Sequence, residues 1–218
     1  MRGIILPALI CLGLLGGCAT IQPPAPAPVE NDLPSSPYAI SFTIRAGVSN
    51  NGSVETRRVT GLLWGNPTGP VRMDLSAGIG ALIARTVEED SVLYIHIPEE
   101  KRMVIRDVSV SGLNIFGYPM PFRLHDLAKI AHGCFTPLTD GTRRGQLTKG
   151  PSGLPVKWQG GDGWNVEFVY GETAVPKKIK AVHEDGSEAL IIIKQVSKTA
   201  AHAPEKLILD VPQGTRIN

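Results

Sequence analysis

The sequence predicts a mainly β (α+β) fold, one long curved antiparallel sheet of about ten strands carrying a single helix. Three observations lead there. Apolar and polar residues alternate with a period of two through most of residues 38–195, and turn dipeptides interrupt them at short intervals. The composition joins 42% hydrophobic and 19% charged residues to 24 Gly and 18 Pro, which suits strands and turns better than a helical bundle. Only Pro121 to Gly133 switches clearly to helical spacing.

Tyr38–Val48 reads as a strand turned by Asn50-Asn51-Gly52, because Asn-Gly favours a type I′ hairpin. Val54–Trp64 returns and stops at Gly65-Asn66-Pro67. Pro70–Leu75 follows, with Val71, Met73 and Leu75 on one face and Arg72 and Asp74 on the other. Ile79–Val87 comes next, turned by Glu88-Glu89-Asp90, and then Val92–Ile97 and Met103–Val110 around Pro98-Glu99-Glu100-Lys101. In the helical segment Leu124, Leu127, Ala128 and Ala131 share a face, with Pro121 near the start and Gly133 past the end. Strands resume at Gln146–Lys149, Leu154–Gln159, Trp164–Tyr170, Pro176–His183 and Ala189–Gln195, and Lys206–Val211 is a candidate last strand. A sheet this wide accumulates twist and must curl. Two outcomes fit: a half-open barrel with an apolar hollow under a helical lid, or an ordinary barrel filled by side chains.

The N-terminus sets the domain organisation. Met1 and Arg2 precede an apolar run, Ile4 to Leu15, and then Leu15-Gly16-Gly17-Cys18. Leu, two small residues and Cys match the bacterial lipoprotein signal, since only a cysteine thiol at that place forms a thioether to diacylglycerol. Residues 1–17 are therefore expected to be a removed signal peptide and Cys18 a lipidated residue bearing acyl chains such as palmitate. At roughly 0.8 kcal/mol per buried CH₂, several acyl chains make a firm anchor. Residues 18–37 read as a tether, with six prolines between positions 23 and 37 that favour extended polyproline II and a reach of about 60 Å. Residues 38–218 form the folded domain. Ala19 after the Cys favours the outer membrane, with the domain facing the periplasm. Outside the first 17 residues no apolar run approaches the length of a membrane helix. A net charge of +2 with scattered basic residues speaks against nucleic-acid binding.

Thr60-Gly61-Leu62-Leu63-Trp64, Val71 to Gly80, Gly117-Tyr118-Pro119-Met120-Pro121 leading to Leu124, Trp164 to Tyr170 and Pro176-Lys177-Lys178-Ile179 follow one another in an order that resembles the outer-membrane lipoprotein receptor family (LolB-like), within the LolA/LolB superfamily. The resemblance covers most of residues 40–195. It implies a curved, unclosed antiparallel β-barrel with a helical lid, whose apolar hollow takes acyl chains of lipoproteins or lipids, from a soluble periplasmic LolA-like carrier, and passes them to the outer membrane. No bond is made or broken, so an enzyme is not expected. In the family an apolar residue on a protruding loop assists membrane insertion, and Ile79 stands at the corresponding place; alternatively Ile79 simply begins the next strand. Two departures stand out. The family's helix carries a Trp after its Leu, where Ala128 and Ile130 lie here. Residues 196–218 extend past the receptor's usual end, and Leu207 to Gly214 resembles the closing strand of the carrier.

Catalytic patterns are absent: the sequence has no Gly-x-Ser-x-Gly elbow and no His-Glu-x-x-His. His125 and His132 lie seven apart on the helix, open to a metal role or to solvation; no metal and no cofactor are expected. Cys134 is expected to be a small buried hydrophobe, with a reactive thiol as the sharper alternative. Arg143-Arg144 and Lys177-Lys178 would meet anionic head groups or water. The lining candidates are Val71, Met73, Leu75, Leu93, Ile95, Met103, Ile105, Leu124, Leu127 and Phe168, and alternation fixes each strand's set only relative to the others. The expected state is a monomer. The rival function is a structural or assembly lipoprotein whose β-domain docks to an envelope complex without lipid transfer.

Overall fold

The computed structural model describes residues 36–50, 53–108, 118–139, 145–202 and 204–218. The signal segment, Cys18, nearly all of the tether, Asn51-Gly52, Gly117 and Arg143-Arg144 lie outside the described residues.

The first half is a meander of six strands: β1 (Tyr38–Asn50), β2 (Ser53–Gly65), β3 (Val71–Ala77), β4 (Ala81–Glu89), β5 (Val92–Ile97) and β6 (Arg102–Asp107). Then comes the helix α1 (Leu124–Ala131) and a 3-10 turn at Thr136–Leu138. A second meander follows, with β7 (Gly145–Lys149), β8 (Pro155–Gly160), β9 (Trp164–Tyr170), β10 (Pro176–His183) and β11 (Glu188–Lys198). The chain ends in a helical turn, α2 (Pro204–Leu207), and a two-residue strand, β12 (Arg216–Ile217).

All twelve strands form one sheet in the order β12-β6-β5-β4-β3-β2-β1-β11-β10-β9-β8-β7. The meanders join where β11 pairs antiparallel with β1, so the first strand lies mid-sheet. Among the described residues the two ends of the sheet do not pair with each other, and the barrel is unclosed. About ten strands were expected and twelve are present, the last of which, β12, pairs parallel with β6.

Cross-strand register separates the two faces. Ile40, Leu63 and Met73 align on the concave face, and so do Phe42, Gly61 and Leu75. Both sets are buried. Across the junction Ile44 faces Ile191, which faces Ile179, which faces Phe168. Glycines make room for rings here: a Cβ on Gly61 would stand 2.2 Å from Cε2 of Phe42, its direct partner on β1. Close packing of this kind is what an interior of native density demands.

The convex face of the first meander carries Arg72, Val87, Tyr94 and Ile105 in one row and Asp74, Arg85, His96 and Met103 in the next. The C-terminal segment straps across it. Thr199 N–H donates to Pro37 O, His202 N–H donates to Asn66 Oδ1, and Arg72 donates to the carbonyls of Lys206 and Ile208. Leu207, the last residue of α2, is buried, and the strap ends beside β6 as β12. The expected strand Lys206–Val211 is therefore a correction. Pro204 opens a helical turn, and Arg72 takes two carbonyls that a ladder would have used.

Candidate functional site

The concave face of β1–β4 and the helix that covers it form the candidate site. The stripe read from the sequence is what α1 buries: Leu124, Leu127, Ala128 and Ala131, together with Ile130 and Asp126. It packs against β2 and β3. Burying Leu124, Leu127 and Ile130 contributes about 1.5–3 kcal/mol each. At the far end Trp158 Nε1–H donates to Leu138 O at 3.0 Å, tying the 3-10 turn to β8.

The start of the helix is held by the sheet. Arg123, at the N-cap position, makes no side-chain cap hydrogen bond. Buried helix N–H groups require acceptors, and Glu88 on β4 supplies one. Its Oε2 accepts from Leu124 N–H at 2.7 Å and from His125 N–H at 3.4 Å. Glu88 is only 3% exposed. Burial pushes its carboxyl up to about 7, partly offset by the Leu124 N–H and the Arg123 guanidinium, while Asp126 raises it further. Arg123 in turn pairs with Asp126 at 3.4 Å. Tyr38, also buried, is held well above the usual phenol range by burial and by Glu88, and its ring meets His132 edge-on with centroids 5.1 Å apart.

The lining candidates divide. Val71, Met73, Leu75, Leu93, Ile95, Leu124, Leu127 and Phe168 all belong to the buried concave cluster. Met103 and Ile105 do not and are a correction. Val104 faces Ile95 across the β5–β6 pair, so the β6 residues on either side of it point to the convex face. Ile105 is exposed there, and Met103 is buried beside the strap. Ile79 is fully exposed at the tip of the β3–β4 hairpin, between Gly78 (φ 57°) and Gly80 (φ 100°). It lies in the turn and not in β4, which begins at Ala81.

Sequence reasoning missed Glu88 by assigning it to a turn. The turn is Asp90-Ser91, both with positive φ, and the strand runs through Glu89. The signal was present in the register: Glu88 falls on the same face as Thr86 and opposite Val71 and Leu93. Of the other candidates, Cys134 is buried with Sγ 3.2 Å from Thr136 Oγ1, and Nδ1 of His132 lies 2.8 Å from Ala128 O. Among the described residues no three His, Cys, Asp or Glu side chains gather as a metal site.

The concavity is occupied by large side chains and by α1 itself, although the sheet does not close into an ordinary barrel. Beside the end of the helix a cleft of about 340 Å³ opens between the 3-10 turn and β7–β8, lined by Cys134, Phe135, Leu147, Leu154, Pro155 and Ala174.

No protein-family model matches this sequence. The chain is 27% identical over 169 residues to the outer-membrane lipoprotein LolB of Thiobacillus denitrificans, covering 76% of this chain and 82% of that relative. The crystal structure of a LolA superfamily protein from Nitrosomonas europaea superposes with a TM-score of 0.53 at 10% identity, covering 81% of this chain and 91% of that one. At that identity the likeness is one of fold, an unclosed barrel of the LolA type.

Proposed function

We propose that this LolB-like chain is a lipid-anchored lipoprotein of the bacterial outer membrane, tethered through Cys18. It receives the acyl chains of lipoproteins or lipids on its concave face, from a soluble periplasmic LolA-like carrier, and releases them into the outer membrane. The observation that carries this reading is an apolar concave face on an open sheet, covered by one eight-residue helix. The apolar face of a sheet must be covered by another layer, and here that layer is a helix of eight residues. Lifting α1 exposes Val71, Met73, Leu75, Leu93 and Ile95 together, with the cleft at Cys134 as an opening already formed. Ile79 supports the delivery step. A fully exposed isoleucine between two left-handed glycines costs a soluble surface something and suits contact with lipid.

Transfer needs no reaction. It needs a hollow that competes for acyl chains against the donor and loses them to a bilayer. Ile79→Glu is expected to leave uptake of a fluorescent acylated peptide unchanged and to slow its delivery to phospholipid vesicles. Equal delivery rates would refute the insertion role of Ile79.

A second reading, a structural lipoprotein docked to an envelope complex, is favoured by the tight filling of the concave face. Native mass spectrometry after mild extraction separates the two. Bound lipid supports transfer, and lipid-free protein with a stoichiometric protein partner supports docking.

A further inference from the structure

We propose that Thr86 and Glu88 form a polar subsite on the floor beneath α1, built to take the amide and acyl-carbonyl groups of an acylated peptide N-terminus. The inference rests on the acyl-binding reading and names its ligand class. Both residues lie on β4, two apart and therefore on one face. Thr86 sits between Met73 and Ile95, and Glu88 between Val71 and Leu93. At Thr86 an apolar residue would serve better if the floor only had to pack, whereas Glu88 already serves the start of α1.

Thr86 is completely buried, yet its Oγ1 finds no hydrogen-bond partner among the described residues. An orphaned hydroxyl in an interior costs stability, and a valine of the same shape would avoid that cost. Glu88 is the complementary case. Its partners are two peptide N–H groups, and both belong to the lid. Raising α1 would remove them and leave a carboxylate on an apolar floor in need of donors.

An acylated peptide N-terminus restores both sets of bonds. The acyl carbonyl accepts from the Thr86 hydroxyl, and the peptide N–H groups donate to Glu88 as the helix N–H groups do in the closed state. The first turn of the lid thus occupies the place the cargo's backbone would take. An anionic phospholipid offers ester carbonyls but no peptide donors, and its phosphate is repelled by the carboxylate. The pair therefore selects acylated peptide over phospholipid, where an apolar surface alone would not.

The test compares two fluorescent probes with matched acyl chains, a synthetic triacylated peptide and phosphatidylglycerol, on the wild-type chain, Thr86→Val and Glu88→Gln. Thr86→Val is expected to raise the melting temperature of the free protein and to weaken triacylated-peptide binding about fivefold, the effect of one lost hydrogen bond. Glu88→Gln should weaken it at least as much, and should not lose affinity for phosphatidylglycerol, which offers Glu88 no peptide donors. Folded variants that bind the peptide as tightly as wild type overturn the subsite. Equal losses for both probes in Glu88→Gln also overturn it, since they would report a general change in the floor. If Thr86→Val does not melt cooperatively, Glu88→Gln decides alone. A wild-type chain that takes up neither probe overturns the acyl-binding reading itself.

Discussion

Glu88 joins sheet to lid, and its position gives the molecule a pH dependence of defined sign. Burial holds its carboxyl at about 7, against an ordinary value of 4.5. The folded state therefore binds a proton more tightly than the unfolded chain. The stability this contributes is fully present below 4.5 and is lost as pH rises through 7. The difference corresponds to about 3 kcal/mol at most. Thermal melts at pH 5 and pH 8 should show the wild-type chain losing several degrees at the higher pH. Glu88→Gln, which keeps the shape but cannot ionise, should lose less. Parallel losses in the two proteins would mean that Glu88 does not carry the effect. Ile79 is the other residue with a sharp position, and the sequence left it open between a loop tip and the start of the next strand; the structure puts it in the turn, fully exposed, with β4 beginning at Ala81. Glu88 was not legible. Three consecutive acidic residues suggest a solvated turn, and only the pairing of β4 with β3 and β5 shows that the first of them points inward.

At the scale of elements, the periodicities located strands well and facings less well. β5, β9 and β10 have the bounds read from alternation and turn residues, and α1 buries the stripe its spacing marked. The facing of β6 was open because alternation yields two equivalent sets. Val104 took the concave side, and Met103 and Ile105 went outward. Contact between distant elements decided it, which no local pattern encodes. The same applies to the close fit of β1 and β2. Gly61→Ala would drive a methyl into the Phe42 ring and should cost about 1–3 kcal/mol by overpacking. Phe42→Leu should recover part of that loss in the double variant, because the smaller side chain clears the space. Denaturant midpoints of the two single variants and the double variant measure this, and strictly additive effects would show that the pair does not interact. For the helix, Leu127→Glu places a carboxylate in the packed face of α1. It should lower affinity for an acylated probe and increase amide exchange at residues 124–131 while the sheet amides stay protected. Unchanged binding would count against α1 as the lid.

The whole molecule must manage the two edges of its open sheet. An uncovered edge strand is a template for pairing with another chain. The chain covers one edge itself. The strap crosses the convex face, and Arg216 N–H donates to Lys101 O, Asn218 N–H to Met103 O, and Ile105 N–H to Asn218 O. Within residues 196–218 the sequence suggested a strand at Lys206–Val211, where the chain forms a helical turn and then β12 at Arg216–Ile217, because the work of this segment is long-range and makes sense only once β6 is seen to need a neighbour. This also divides the labour between the faces. The strap is confined to the convex side, so the concave face stays available to α1 and to any chain that displaces it. A variant ending at Val211 tests the division. It keeps Leu207 and the Arg72 contacts that anchor the strap, and so should fold, with a melting temperature lower by a few degrees for three lost backbone bonds. With the β6 edge bare, it should self-associate in a concentration-dependent way, read by light scattering after gel filtration, while acylated-peptide binding at low concentration is retained. A truncated chain that elutes as the full-length protein does at every concentration would show that β12 is incidental to edge protection.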